Sequence, residues 1–416
     1  MPWLRSHENS YICGRIISMN LTDESLVLVV NPGSASRKYA LYTGENVTAV
    51  INFEFVDGAV VAKVEHEGQV NKINYDDTDL SDVSKYVSSI LTDNNILKDQ
   101  EKIDAIGIRI VAPSDRFMHD ELLTAEVEQA LEAVQQKAPL HVTTALAEIK
   151  HLKNHFGETP IITISDSAFH ATKPQWALSY GIDTDLAKKN EIMRYGFHGI
   201  SVGSVVRKMQ NANILAPKMV VCHLGSGSSL SAVVDGKSVE NTMGYSPLEG
   251  LMMATRTGNI DVSAALAIKR ALGLTDEELE SYLNKKSGLL GVSGSSNDIR
   301  QLLASEEQGD ERAKLALKLF VYRIQQSIGQ MVASMGGIDV LVFTATIGER
   351  SAPIRGRVME GLNYLGLIGD KDLNEATFEP KEATNIGTSE SKPIIVISTD
   401  ESQEIASRVN KYLSSN

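Results

Sequence analysis

The chain has 416 residues, 42% of them hydrophobic and 22% charged, with 31 Gly and 11 Pro; this is an ordinary globular composition at a length that holds two or three domains, which excludes disorder, collagen and a small stapled module. Lys and Arg number 40 against 53 Asp and Glu, a net charge of −13, so nucleic acid and membrane are disfavoured as partners and an anionic substrate must be held by a few placed cations. The two cysteines, Cys13 and Cys222, are too few for a disulfide framework and fit a reducing compartment, so a cytoplasmic location is expected.

Residues 1–20 contain Arg5, His7, Glu8 and Arg15 and lack the continuous apolar stretch of a secretory signal. They read as an extension outside the fold, either an extended or misassigned start with Met19 as the real one or a functional tail. Nowhere does the chain reach the ~18 apolar residues of a membrane helix. Patterned structure begins at Leu26–Val30, a β-branched run stopped by Asn31-Pro32-Gly33, and reads as a buried strand entering a turn. Similar runs recur at Ile103–Val111, Pro160–Ser165, Met219–Leu224, Asp339–Ala345 and Pro393–Ser398. Between them the spacing predicts helices over Ala125–Ala138 and Glu311–Met335; in the second, Leu315, Leu319, Ile324, Ile328 and Met331 recur at helical spacing and Gly336-Gly337 ends the run. Alternating strands and helices predict an α/β architecture.

An internal repeat adds more. Val29–Gly44 aligns without gaps on Val221–Gly236, with Val29/Val221, Gly33/Gly225, Ser34/Ser226, Ser36/Ser228, Ala40/Ala232 and Gly44/Gly236 identical. Each copy reads as strand, Gly/Ser-rich turn, strand and tight turn. Small residues at such a turn let backbone N–H groups approach phosphate; two copies fit either related halves with a phosphate chain between them or two ordinary hairpins of a duplicated fold.

Several residues bear chemistry. Arg109 lies among Ile108, Ile110 and Val111 and needs an anionic partner when buried, either a structural carboxylate or a phosphate. Asp166 ends a strand, where ligands of open sheets gather, and reads equally as a cap or a catalyst. His198, between Phe197 and Gly199, reads as a structural or a catalytic histidine. The turn-rich run Glu240–Asp261 offers Pro247, Glu249, Arg256 and Asp261, and long unpatterned runs are usually functional. Ser287–Arg300 is Gly/Ser-rich, and Thr344–Arg350 follows a strand and opens a helix, whose N-terminus favours phosphate.

Taken in order, the tracts RYGFHG, GKSVENTMGYSPLEGL, TRTGNID, LNKKSG, LGVSG, SNDIR and VFTATIGER resemble the acetate kinase family, within the sugar kinase, Hsp70 and actin superfold, from about Leu26 to Ala406. The resemblance implies two duplicated ribonuclease H-like domains around a central cleft: residues 21–170 with 403–416 as the first, residues 171–402 as the second on the nucleotide side, and a final helix from about Glu401 returning to the first. It implies acetate + ATP ⇌ acetyl phosphate + ADP by direct in-line transfer, with Mg2+, or Mn2+ in its place, and a homodimer. It makes Arg109, Asp166, His198 and Arg256 catalytic, His198 and Arg256 stabilising the transition state, and Asn31 and Glu401 the metal residues. It places Arg109, Val111, Leu140, Phe197 and Pro247 around the acetate. Lys38, His223, Leu224, Gly225, Ser226, Gly227, Asp298, Ile299, Arg300, Thr346, Ile347, Gly348, Glu349 and Arg350 fall to the nucleotide.

The chain departs from the family pattern at Ala112-Pro113-Ser114 (usually His-Gly-Gly), Val142, Val202, Ser226, Thr346 and Arg350. Thr346 in a Gly place adds bulk and denies positive φ, so a changed donor (GTP or pyrophosphate) or a changed acid (propionate or butyrate) is the alternative within the fold. A non-catalytic actin-like nucleotide-binding protein is the alternative of another class. It is opposed by the retained Asn31, Arg109, Asp166, His198, Arg256 and Glu401.

Overall fold

The computed structural model describes residues 25–33, 36–56, 58–76, 78–98 and 101–415; the expectations for residues 1–20, Cys13 and Ser34 fall outside them. The architecture is α/β, with two sheets. The first holds β1 (Leu26–Pro32), β2 (Ser36–Thr43), β3 (Asn46–Val56), β4 (Ala59–His66), β5 (Gln69–Tyr75), β6 (Ala105–Ile110), β7 (Glu121–Leu122) and β8 (Ile161–Ser165), in the order β5-β4-β3-β2-β1-β6-β8-β7. The second holds β9 (Lys218–Leu224), β10 (Ser228–Val234), β11 (Lys237–Asn241), β12 (Val340–Thr344), β13 (Thr384–Asn385) and β14 (Ile394–Val396), in the order β11-β10-β9-β12-β14-β13.

The halves share a topology. In each, an antiparallel hairpin and a third strand lie on one side, and two strands parallel to the first lie on the other: β3-β2-β1-β6-β8 and β11-β10-β9-β12-β14. All six apolar runs of the sequence fall on strands of this parallel part, where burial on both faces requires continuous apolar residues. The sequence repeat corresponds to the hairpins β1/β2 and β9/β10. Their registers differ: Pro32 pairs with Arg37 but Leu224 pairs with Ser228, so the second turn, Gly225–Gly227, is one residue shorter.

Helix Pro139–Phe156 covers one face of the first sheet, packing Val142, Ala145, Ile149 and Leu152 with Leu28, Val30, Tyr39 and Ile108. The final helix, Glu401–Ser415, covers the other face with Ile405, Ala406 and Val409 against Val27, Val29, Ile162 and Ile164. Helix Gly199–Asn211 joins the halves. Its Ile200 packs with the first sheet, while Val202, Val205, Val206 and Met209 pack with Met219 and Val221 of the second.

Two sequence expectations are corrected. The helix expected over Ala125–Ala138 ends at Ala133 and gives way to a 3₁₀ turn at Gln135–Lys137. Pro139 explains this, because a proline disfavours α conformation in the preceding residue and itself suits the first turn of the next helix. Helix Glu311–Met335 forms, capped by Gly336 at φ 64°, but Leu315 is 56% exposed. Ile324, Ile328 and Met331 are buried as expected, and the stripe continues toward the start of the helix through Phe320, Leu317, Ala316 and Ala313 rather than Leu315.

The final helix lies close on β6 because residue 107 has no side chain. A Cβ there would stand 2.5 Å from Val409 Cγ2 and 2.8 Å from Ile405 Cγ2. Both neighbours are β-branched and stiff in a helix, so Gly107→Val should destabilise the chain by about 1–3 kcal/mol, lowering the midpoint of urea unfolding. An unchanged midpoint would show that the helix is not held there.

Candidate active site

Strands β1, β6 and β8 are parallel neighbours, so the residues at their carboxyl ends meet at one edge. These are Asn31, Arg109 and Asp166. Arg109 Nη2 donates to Asp166 Oδ2 at 3.2 Å and Nη1 donates to Asn31 Oδ1 at 3.2 Å. Glu401, the first residue of the final helix, lies 3.7 Å from Arg109 Nη1 and accepts from Asn31 Nδ2 at 2.7 Å. Burial works against the charge of Arg109, but Asp166 and Glu401 outweigh it and hold the guanidinium above its ordinary pKa. Burial likewise raises Asp166, and Arg109 with the His198 N–H pulls it below the usual carboxylate range. Two buried atoms of this group have no hydrogen-bond partner among the described residues: Arg109 Nε and Asp166 Oδ1. Leaving such atoms unmet costs about 1–3 kcal/mol each, and a bound oxygen-rich group or cation removes that cost.

From the other side comes the loop before helix Gly199–Asn211. His198, its N-cap, takes φ 60°, a left-handed conformation that is strained for this residue. The loop is clamped. Ser167 Oγ donates to Gly196 O at 2.7 Å, His170 Nε2 lies 2.9 Å from Phe197 O, and His198 N donates to Asp166 Oδ2 at 2.8 Å. The His198 ring lies 2.9 Å through Nδ1 from Ser229 Oγ and stacks on His223 at 4.1 Å between centroids. His223 Nδ1 in turn lies 2.7 Å from Ser201 Oγ. Burial, His223 and the two arginines push His198 well below its ordinary value, and burial lowers His223; both rings are neutral at pH 7.

The Gly225-Ser226-Gly227 turn approaches this pair. A Cβ on Gly227 would stand 3.3 Å from His198 Nε2 and 3.6 Å from Arg256 Nη1, so the missing side chain leaves room between imidazole and guanidinium. Arg256 Nη1 donates to Pro247 O at 3.2 Å and contacts Met253 Sδ at 3.8 Å; among the described residues it has no carboxylate partner within 4.0 Å. Burial first, and Arg109 second, press its pKa down. Pro247 and Arg256 therefore belong to the site. The other two candidates of that run serve structure: Glu249 pairs with Arg194 and Tyr180, and Asp261 caps helix Val262–Leu272 through Ser263 N and Ala264 N.

Val111 and Phe197 are buried in one apolar cluster with Tyr195, Met243 and Met253. The Leu140 side chain lies outside the described residues. A cavity of about 320 Å³ opens beside Pro247 and Arg256, walled also by His141, whose pKa is pressed to about 4 by burial, then Arg256 and Arg109. His141, Met243, Met253 and Ser229 were not singled out as site residues by the sequence. His141 stands directly after Leu140 and Met243 lies within the quoted tract, so adjacency was the signal available.

A second cavity, of about 750 Å³, is lined by Ser226, Asp298, Ile299, Arg300, Thr346, Ile347 and Arg350, together with Ala254, Asn297, Leu303 and Phe378. Asp298 binds its own helix start and Arg300, and Arg350 pairs with Glu379. Other residues assigned to the nucleotide stand elsewhere. Leu224 is core, the Gly348 Cα faces Phe343, and Glu349 points inward to accept from Ala345 N at 2.8 Å and Thr399 N at 3.2 Å. Lys38 is exposed, paired across the hairpin with Asn31. The strain expected at Thr346 is absent there: the positive φ of this turn, 64°, is taken by Ala345.

A profile of the acetokinase family matches residues 26–407. An acetate kinase of Thermoanaerobacterium thermosaccharolyticum is 38% identical over 410 residues, covering 94% of this chain and 99% of that protein. The crystal structure of Porphyromonas gingivalis acetate kinase superposes with a TM-score of 0.82 at 32% identity, over 94% of this chain and 99% of its own. A propionate kinase structure from Francisella tularensis gives 0.84 at 34% identity, over 92% and 98%.

The buried histidines make stability depend on pH. Burial presses His170 to about 3 and His141 to about 4, against about 6.5 in an unfolded chain. Between those values the unfolded state binds more protons, so stability is complete above about pH 6.5 and is lost as pH falls. The midpoint of thermal unfolding should drop from pH 7 to pH 5, and by less in His170→Gln; equal slopes in both proteins would remove His170 from the explanation.

Proposed function

The chain belongs to the acetokinase family, and on that premise we propose that it transfers the γ-phosphoryl group of ATP reversibly to acetate, giving acetyl phosphate and ADP in one in-line displacement. The observation that carries this reading is the pair Arg109 and Arg256, two partly buried guanidinium groups at one site, of which only the first has carboxylate partners among the described residues. A second, partly buried cation with no carboxylate partner among the described residues calls for an anion.

The carboxylate of acetate is already ionised at neutral pH, so no base need activate it. One of its oxygens forms a bond to the γ-phosphorus while the bond to the bridging oxygen breaks, and ADP leaves with that electron pair. Most of the rate then comes from alignment and from cations that spread the charge. Arg109 and Arg256 hold the acid and the moving phosphoryl group. We assign the Ser229 hydroxyl as donor to His198 Nδ1, which keeps the proton on Nε2, facing the space beside Gly227. The Gly225–Gly227 turn lines the phosphate path.

Asp166, Asn31 and Glu401 offer oxygen donors of the kind a hard divalent cation takes, and the unpartnered Asp166 Oδ1 fits that role. No cluster of three or more His, Cys, Asp or Glu that could hold a metal occurs among the described residues. That suits Mg2+, or Mn2+ in its place, which needs one or two carboxylates beside substrate phosphates and, when bound, neutralises phosphate charge. The cavity of about 750 Å³ has room for a nucleoside as well as phosphates and supports ATP over pyrophosphate as donor. The apolar cluster around Val111 and Phe197 favours a short acid, and because each methylene is worth only about 1–3 kcal/mol, propionate should also react, more slowly. We place the hinge between residues 21–170 with 403–416 and residues 171–402. We also propose a homodimer; helix Val262–Leu272, which buries no residue and exposes Val262, Leu266 and Leu272, offers a face for a second copy. Among the described residues no helix is long and apolar enough to cross a membrane.

Arg109→Ala and Arg256→Ala should each lower acetyl phosphate formation, trapped with hydroxylamine, at least a hundredfold while circular dichroism stays native. Folded variants with near wild-type rates would refute the assignment.

A further inference from the structure

The cavity of about 750 Å³ is bordered by Ser226, from the turn beside Arg256, and by helix Ile299–Glu307, whose Ile299, Leu303 and Glu307 fall four residues apart on one face. Phe378 also lines this cavity and takes no part in the chemistry described so far. It is 63% exposed.

A single exposed phenylalanine is ordinary on a protein surface. What sets this one apart is how firmly its backbone is held. Arg355, in helix Ala352–Met359, is fully buried. Its Nη1 donates to Gly348 O and Glu349 O, both at 2.9 Å, its Nη2 to Thr377 O at 2.7 Å and Asn374 O at 2.8 Å, and its Nε to Asn374 Oδ1 at 2.8 Å. All five N–H donors of the guanidinium are thereby used. Every one of these partners is neutral, and burial presses the pKa of Arg355 down to about 10. Burying a cation on neutral partners costs free energy. What it accomplishes is to join helix Ala345–Arg350, whose Thr346, Ile347 and Arg350 line the cavity, to the residue that precedes Phe378. After Phe378 the chain is fastened again: Glu379 N donates to Glu349 O at 3.3 Å, and Ser398 Oγ donates to Pro380 O at 2.8 Å. Glu379 takes φ 43°, a left-handed conformation uncommon for that residue type. The fold thus presents a flat apolar ring at the cavity from a backbone fixed on both sides.

We propose that Phe378 is the platform on which the purine base of the phosphoryl donor stacks, and so a specificity-determining residue for the nucleotide. The inference deepens the proposed function and rests on it, since it takes the cavity as the donor's site. Every base has a π-face, and an aromatic side chain beside a groove is a common surface for it. Because the backbone around Phe378 is already fixed, little further ordering is needed when a base covers the ring. A purine offers a larger face than a pyrimidine, so the platform favours ADP over CDP. The phosphates belong to the groups around Arg256 and the Gly225–Gly227 turn, which leaves Phe378 to read the base.

The test uses the full chain and calorimetric binding of ADP and of CDP, each with Mg2+, to the wild type, Phe378→Ala and Phe378→Trp. In Phe378→Ala the Kd for ADP should rise at least about fivefold, the size of a lost base–aromatic stack, and the Kd for CDP by less, while KM for acetate, read by hydroxylamine trapping, stays within about twofold. Phe378→Trp restores a ring and should bind ADP within about twofold of the wild type. Unchanged ADP binding in Phe378→Ala overturns the proposal. So does an equal loss for ADP and CDP, which would make Phe378 a piece of wall, or a Phe378→Trp protein as weak as Phe378→Ala. If Phe378→Ala shows no cooperative urea unfolding, Phe378→Leu, which keeps apolar bulk without a ring, is judged by the same criteria. Because ADP binding is read without turnover, a wild-type chain that binds ADP but forms no acetyl phosphate would sink the proposed function and leave this inference to be decided by the two dissociation constants; a wild type that binds neither nucleotide overturns both.

Discussion

The structure turns on the repulsion between two partly buried guanidinium groups. Arg109 meets Asp166 and Glu401, whereas among the described residues Arg256 meets a carbonyl oxygen and a sulfur. Burial and the charge of Arg109 both press on the charge of Arg256, a cost that a bound anion offsets. A phosphoryl group in flight, with charge on three oxygens, is such an anion. The neutral imidazoles of His198 and His223 fit the same logic, since two further cations there would make the cleft harder to fold and would bind ground-state phosphate indiscriminately.

The fold supplies this spacing by duplication. Each half presents the carboxyl ends of parallel strands, and ligands of such sheets collect at those ends. The first half contributes Asn31, Arg109 and Asp166; the second contributes His223, the Gly225–Gly227 turn and the start of helix Ala345–Arg350. Helix Gly199–Asn211 packs on both sheets and starts at His198. One rigid element therefore places the histidine relative to both sides, and its first backbone amides bond to Asp166.

Much of this was legible in the sequence because buried parallel strands leave continuous β-branched runs and the hairpin repeat leaves matched glycines. Strand ends then put Arg109 and Asp166 together once the runs were in register. What stayed hidden depends on direction or on distant partners. In Thr344–Arg350 the helical period separates neighbours: Thr346, Ile347 and Arg350 line the cavity while Gly348 and Glu349 turn into the core. The strained φ fell on Ala345 rather than Thr346, a matter of one residue that composition cannot fix. The first turns of the buried stripe of Glu311–Met335 were not legible, because alanines at 313 and 316 carry little apolar signal beside an exposed Leu315, whereas Ile324, Ile328 and Met331 marked the rest. Arg355 stands well apart in sequence from Asn374 and Thr377, and nothing local marks them as partners.

The claim that two guanidinium groups converge on the travelling phosphorus is tested most directly by a crystal structure with ADP, Mg2+, acetate and aluminium fluoride. The account places the planar fluoride within hydrogen-bond reach of Arg109, Arg256 and His198 Nε2, with an acetate oxygen and the ADP terminal oxygen on opposite sides of it. A fluoride bound in line but out of reach of either arginine would contradict it.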